Sequence, residues 1–152
     1  MRNLKLERTL AVARSSVWAV LADYPNIADW NDGLTKSYAI GDATEGVGAQ
    51  RQTELAPDGK MKMRETVTEW VPEERMVMAI DKMEKMPVKQ ARMTFTLSGG
   101  EGETTLFTMS YDYEPKGALW SFLGPFLDRQ FGKGFSGFID LLEPVAQARA
   151  AA

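Results

Sequence analysis

Arg51 and Glu65 are the two residues of this sequence best placed to do chemistry. Residues 57–59, Pro-Asp-Gly, have the composition of a tight turn and lie between them. If this turn joins two antiparallel strands, the pairing sets Thr53 opposite Met63 and Arg51 opposite Glu65. The odd-numbered side of the second strand is the more apolar one. We therefore expect the charged pair to face the protein interior.

An arginine and a glutamate that face an apolar interior have two interpretations. As catalytic residues, Arg51 donates hydrogen bonds to a ligand carbonyl or enolate, and Glu65 accepts a proton. As structural residues, the two charges offset each other's desolvation and only join two strands. A glutamate paired with an arginine is biased toward its ionised, weakly basic form, which counts against catalysis. The sequence leaves both interpretations open.

The composition excludes most other routes to catalysis. The 152 residues include no His and no Cys. The usual general base, the Ser-His and Cys-His nucleophile pairs, disulfides and thiolate metal ligands are therefore absent. We expect neither a metal site nor a cofactor.

Charge and hydropathy set further expectations about partners and location. The formal net charge is -3 and the pI is near 5.1, which argues against nucleic acid as the main partner. No apolar run approaches the roughly 20 residues of a membrane span, and the charged residues 1–10 do not resemble a secretory signal. We expect a cytoplasmic protein that is a monomer or a homodimer.

Hydropathy periodicity predicts a strand, two short helices, a series of strands and a long helix. Residues 4–10 alternate between apolar and polar types, and helix signals follow up to Trp30. Residues 34–113 read with a period of two between short turns, which predicts antiparallel strands with one buried face.

The C-terminal segment has an apolar stripe that predicts a helix lying on the sheet. Residues 124–125, Gly-Pro, are expected to kink or divide this helix. Gly132, Gly134 and Gly137 indicate either tight helix packing or space left beside the sheet. The stripe consists of Phe122, Phe126, Phe131, Phe135, Phe138, Leu142 and Val145.

Methionines recur on the predicted inner face of the sheet. The pairing pattern places Met78 opposite Val67 and Met76 opposite Glu69, and it places Trp70 on the outer face. Unbranched, polarizable Met side chains adapt to irregular partners, so this face suits a deformable pocket as well as plain core packing. The set comprises Met61, Met63, Met76, Met78, Met93 and Met109.

Local motifs in this order resemble the START-related helix-grip (SRPBCC) superfamily, in particular its polyketide cyclase/dehydrase and lipid-transport family. The resemblance covers essentially the whole chain, residues 1–152, as a single ligand-binding domain. It rests on Ser16-Val17-Trp18, Leu21-Ala22-Asp23, Trp30, Gly46-Val47-Gly48 with Arg51, residues 65–70 followed by Pro72, and Tyr113-Glu114-Pro115.

The resemblance implies an α+β helix-grip fold. Two short helices follow strand 1, and a twisted antiparallel sheet of about seven strands wraps around the long C-terminal helix. It also implies an apolar cavity that holds a small hydrophobic ligand, such as a lipid, a polyketide or a similar metabolite. The expected ligand-binding residues are Met63, Val67, Met78, Met93, Phe95, Phe107, Met109, Tyr111, Phe131 and Phe135.

Three functions agree with this resemblance. The first is a binding protein for a small apolar or aromatic metabolite. The second is a cyclase or dehydratase that uses Arg51 and Glu65 without a metal or cofactor. The third is a protein-interaction module. The basic, apolar residues 82–87 could touch anionic lipid, although an ordinary exposed hairpin loop is the simpler interpretation.

Overall fold

Seven antiparallel strands form one open sheet in the computed structural model, which describes residues 1–151. The spatial order is β1-β7-β6-β5-β4-β3-β2. The strands are β1 (Arg2–Leu10), β2 (Leu34–Ile40), β3 (Gln50–Leu55), β4 (Lys62–Val71), β5 (Arg75–Glu84), β6 (Val88–Gly99) and β7 (Thr105–Pro115).

Helices connect the first two strands and complete the chain. The helix α1 (Arg14–Ala22) is followed by a 3-10 helix (Tyr24–Asp29). After β7 come the short helix α2 (Gly117–Phe122) and the long helix α3 (Gly124–Ala151). The expected α+β architecture, with two short helices after the first strand and a long C-terminal helix, is confirmed.

Side chains of the strands alternate between a buried inner face and a polar outer face. In β7, every second residue from Thr105 to Tyr113 is buried, and the residues between them are partly exposed. The inner face packs against α1 and α3, so the core lies between the sheet and these helices. Within residues 1–151, none of the helices combines the length and the apolar character that crossing a membrane requires.

A β-bulge in β4 overturns two sequence-based assignments. Val67 pairs with Met78 as expected, but Met76 lies opposite Trp70 and not opposite Glu69. The register shift between Val67 and Glu69 inserts an extra residue, which moves the following side chains to the other face of the sheet. Trp70 consequently packs edge-on against Trp18 in the core, with ring centroids 5.1 Å apart.

The division of the C-terminal helix also changes the expected apolar stripe. As predicted, the helix breaks at the Gly-Pro step, with α2 ending at Phe122 and α3 beginning at Gly124. The expectation that Phe122 and Phe126 face the sheet is wrong, because they are 82% and 51% exposed. The break interrupts the helical periodicity, so only the stripe from Phe131 onward continues along the sheet.

An ion pair holds the beginning of α3 against the first strand. The guanidinium of Arg2 donates to both carboxylate oxygens of Asp128, from Nε at 3.3 Å and from Nη2 at 2.5 Å. The hydroxyl group of Tyr113 in β7 donates a hydrogen bond to the same carboxylate. A Cβ at Gly124 would lie 2.5 Å from the guanidinium, so a larger residue there would displace the Arg2 side chain.

These contacts shift the pKa values of both acidic partners. The hydrogen bond from Arg2 is the main reason that the pKa of Asp128 is lowered from its ordinary value. Burial, and then the hydrogen bond and charge of Asp128, raise the pKa of Tyr113 to about 12. Asp128 is therefore ionised, and Tyr113 remains a neutral donor, at physiological pH.

We expect Asp128→Asn to lower stability at neutral pH and to matter less in acid. A carboxyl group whose pKa is lower in the folded than in the unfolded chain stabilises the fold above its ordinary pKa. That stabilisation disappears as the pH falls through the lowered value. Urea unfolding of both proteins from about pH 7 to about pH 2 measures the difference. A difference that does not change with pH would contradict the assignment.

Candidate functional site

A cavity of about 310 Å³ lies between the inner face of the sheet and α3. Its volume is at the lower end of the range of about 300–1,000 Å³ that is typical of small-molecule sites. The sheet contributes strands β2 to β7, and α3 contributes residues 130–138. A second depression, on the outer face of the sheet, is open and lined mainly by Thr and charged side chains. Of these two, the inner cavity has the apolar lining that a hydrophobic ligand requires.

The cavity opens to solvent beside the middle of α3. Gly33, Gln130 and Gly134 line the cavity and are also exposed. Gly33 belongs to the loop that follows the 3-10 helix. The mouth therefore lies between this loop and one side of α3.

Gly134 leaves room at this mouth. A Cβ built at Gly132, Gly134 or Gly137 would meet no atom within 4 Å. Tight helix packing, one of the two explanations offered by the sequence, is therefore wrong for these glycines. Of the three, only Gly134 lines the cavity.

The hairpin register brings Arg51 and Glu65 together as the sequence predicts. Arg51 of β3 lies directly opposite Glu65 of β4, and its Nε donates to Glu65 Oε2. The residues are 4% and 7% exposed, and both line the cavity. At the turn between the strands, Gly59 has a φ of +72°, which glycine adopts without strain.

Tyr24, in the 3-10 helix, contacts both members of the Arg51–Glu65 pair. Arg51 Nη1 donates to the Tyr24 carbonyl at 2.9 Å, and the guanidinium lies over the Tyr24 ring, 4.0 Å from its centroid. The Tyr24 hydroxyl donates to the backbone carbonyl of Glu65 at 3.1 Å. Burial, opposed by the charge of Arg51, raises the pKa of the Tyr24 hydroxyl, which stays protonated.

Every nitrogen of the Arg51 guanidinium already has a protein contact. Besides the bonds of Nε and Nη1, Nη2 lies 3.7 Å from the sulfur of Met78. Glu65 is less completely engaged, because no residue of the described chain donates a hydrogen bond to Oε1. The pair therefore offers a ligand one free acceptor and few free donors.

Thr53 is a cavity residue that the sequence analysis did not single out. It lies two residues from Arg51 in β3, is 1% exposed and lines the cavity. Its Oγ1 is buried, and nothing within residues 1–151 forms a hydrogen bond with it. The predicted register already set Thr53 on the inner face, but a strand threonine is too common to mark a site.

The structure distributes the expected ligand-binding residues between the cavity and the core. Those that line the cavity are Met63, Met78, Met93, Phe95, Met109, Phe131 and Phe135. Val67, Phe107 and Tyr111 do not line it and are buried in the core. Tyr111 shows the physical reason, because its ring is covered by Phe131 and Phe135 at centroid distances of 5.3 and 4.9 Å. Sharing the inner face is not sufficient to reach the cavity.

The basic residues 82–87 lie away from the cavity, whose lining does not include them. Met86 is buried and Met83 packs against the core. Lys82, near the end of β5, and Lys85, in the connection to β6, are exposed and adopt positive φ angles of 48° and 58°. The apolar side chains of this segment therefore point inward, and its lysines remain in solvent.

No group of three or more acidic side chains suited to a metal ion occurs in the part of the chain that the structure describes. The groups available at the cavity are therefore the Arg51–Glu65 pair, the Thr53 hydroxyl, the amide residues Asn31 and Gln130, and an apolar surface.

The chain belongs to the polyketide cyclase/dehydrase and lipid transport family, whose model matches residues 1–146. None of the curated proteins matches the sequence significantly.

Solved structures with low sequence identity share the fold. A START superfamily protein from Mycobacterium smegmatis is 12% identical with a TM-score of 0.80, covering 96% of this chain and 97% of that one. A protein from Thermus thermophilus is 16% identical with a TM-score of 0.79, covering 97% and 99%. A norcoclaurine synthase point mutant from Thalictrum flavum, in complex with a transition-state analogue, is 14% identical with a TM-score of 0.76, covering 98% and 96%.

Replacing either Arg51 or Glu65 alone should lower the stability of the fold far more than replacing both residues together. We expect Arg51→Met or Glu65→Leu alone to lower the free energy of unfolding by about 3–5 kcal/mol, because an unpaired buried charge remains. The double variant should recover much of this loss. Urea denaturation of the four proteins measures the coupling.

The ion pair between Arg64 and Asp81 provides the control, because it joins neighbouring strands of the same sheet but is more exposed, with side chains 26% and 50% accessible. Arg64→Met should cost no more than about 1 kcal/mol. If Arg51→Met and Arg64→Met lowered the free energy of unfolding equally, burial would not be the reason for the large effect expected at the Arg51–Glu65 pair.

Proposed function

We propose that this protein binds one small, mainly apolar ligand in the cavity between the sheet and α3. The observation that carries the proposal is the Met- and Phe-lined space of about 310 Å³ beside the hydrophobic core. A dry cavity of about 150 Å³ accommodates benzene. A ligand with about two aromatic rings, or an aliphatic chain of similar volume, matches this space.

The methionines of the lining support binding with loose selectivity. Met63, Met78, Met93 and Met109 contribute flexible, polarizable side chains to one wall. Such side chains adjust to ligands of different outline at little cost. The opposite wall is formed by Phe131 and Phe135 of α3, which offer flat aromatic surfaces.

Gly134 supports the same function from the helix. A glycine in a helix interior costs about 1 kcal/mol relative to alanine. At Gly134 no packing contact requires the missing Cβ, and the vacant space adjoins the mouth of the cavity. Helix stability does not explain a glycine at position 134, whereas access of a ligand to the cavity does.

A cyclase or dehydratase that uses Arg51 and Glu65 is the less supported alternative. Arg51 would have to give up a contact to Glu65, Tyr24 or Met78 before it could polarise a substrate carbonyl. The family description includes both catalysis and transport, and the geometry of this pair favours binding.

Native mass spectrometry of the gently purified protein tests occupancy without assuming a ligand. We expect a bound species of small mass that organic extraction releases from the folded protein. Addition of N-phenyl-1-naphthylamine, a neutral fluorescent probe, should then give saturable binding to the emptied protein. A clean apo mass together with no saturable binding of the probe would contradict the proposed function.

Gly134→Leu should abolish probe binding while the protein remains folded. The new side chain occupies space at the mouth, and leucine is a better helix former than glycine by up to about 1 kcal/mol. Gly132→Leu is the matched control, because it makes the same change on the same helix outside the cavity lining. Fluorescence titration and thermal unfolding of both variants separate binding from stability. Equal binding by the two variants would place the ligand elsewhere.

A further inference from the structure

We infer that the ligand of this cavity carries a hydroxyl group, which it places between Thr53 and Glu65. This inference rests on the proposed function and specifies the chemical class of the ligand, a phenol or an alcohol with an apolar body. Its basis is the combination of two unfilled hydrogen-bonding positions on the sheet side of a mainly apolar cavity.

The first position is the hydroxyl of Thr53. Its Oγ1 is buried and has no hydrogen-bond partner in the described chain, although the residue lines the cavity. A buried hydroxyl that lacks a partner costs free energy, which a ligand can restore by forming the missing bond. A hydroxyl of this kind can donate or accept.

The second position is Oε1 of Glu65. Arg51 donates to Oε2, and the Tyr24 hydroxyl donates to the backbone carbonyl of Glu65. Neither of these groups bonds to Oε1. An ionised carboxylate accepts hydrogen bonds and cannot donate them. Whatever satisfies Oε1 must therefore be a donor.

The strand register brings these two positions within reach of one ligand atom. Thr53 pairs with Met63, and Glu65 lies two residues further along β4 on the same face. Residues in this diagonal relation lie about 7–8 Å apart, and their Cβ atoms are somewhat closer. Both residues line the cavity, so one ligand oxygen placed between them can bond to both.

The chemistry of the two positions selects the ligand group. A hydroxyl can donate to Glu65 Oε1 and accept from Thr53 Oγ1 at the same time. A carbonyl or ether oxygen can accept from Thr53 but leaves Glu65 unsatisfied. Arg51 does not compensate, since its guanidinium nitrogens already contact Glu65, Tyr24 and Met78.

Binding of three naphthalenes by equilibrium dialysis tests the inference. The first probe, 2-naphthol, can both donate and accept a hydrogen bond. The second, 2-naphthaldehyde, can only accept one, and the third, 2-methylnaphthalene, can do neither. We expect 2-naphthol to bind at least about tenfold more tightly than 2-methylnaphthalene, as one charge-assisted hydrogen bond predicts. The aldehyde should not match the naphthol.

Thr53→Val isolates the hydroxyl, because valine keeps the shape of threonine. This variant should keep the bond to Glu65 but lose the bond to Thr53, so the preference for 2-naphthol should fall by a few-fold while the affinity for 2-methylnaphthalene stays the same or rises. Its melting temperature without ligand should not fall, since the replaced hydroxyl has no partner among residues 1–151. Thr96→Val, on the outer face of the sheet, is the control and should keep the preference.

The possible outcomes distinguish this inference from the proposed function. Equal affinities for all three probes, or a naphthol preference that Thr53→Val does not change, would overturn the hydroxyl assignment and leave an apolar binding site. Failure of all three probes to bind, together with an empty protein by native mass spectrometry, would overturn the proposed function as well. A naphthol preference that is reduced in Thr53→Val but not in Thr96→Val supports both.

Discussion

The buried ion pair between Arg51 and Glu65 requires three elements to meet with little freedom of position. The register of β3 and β4 must set the two residues opposite each other, and the 3-10 helix must bring Tyr24 over the guanidinium. Without these contacts, two desolvated charges would destabilise the fold. A one-residue slip would turn both charges to the other face of the sheet. The pair therefore ties the geometry of the cavity to the pairing of one hairpin.

The cavity exists because different elements cover the two ends of the inner face. The beginning of α3 is held to β1 and β7 by the contacts among Arg2, Asp128 and Tyr113. At the other end, the 3-10 helix packs against β2 and β3. The hydroxyl of Ser37 in β2 donates a hydrogen bond to the carbonyl of Pro25 in this helix at 2.8 Å. Between them, the side of α3 at Gly134 leaves a space that neither element fills.

Several elements could be predicted from short-range sequence signals, and the errors share one cause. The Pro-Asp-Gly turn set the β3–β4 register correctly, because a short hairpin leaves few ways to pair its strands. The assignments of Glu69 and Trp70 were wrong because a β-bulge has no clear signature in alternating hydropathy. Phe122 and Phe126 were misplaced because a helix break changes the direction of the side chains around it. In each case, a local irregularity interrupted a regular period.

Sequence alone determined the α+β architecture, the strand pairing around Arg51 and Glu65, and the apolar character of the inner face, because periodicity and turn chemistry are local properties. The tertiary structure alone decided which inner-face residues line a cavity, that Gly134 stands at its mouth, and that Thr53 lacks a partner within residues 1–151. These features depend on how helices distant in the sequence cover the sheet. A residue's burial and hydrogen-bond partners are set by that packing, and no spacing along the chain encodes them.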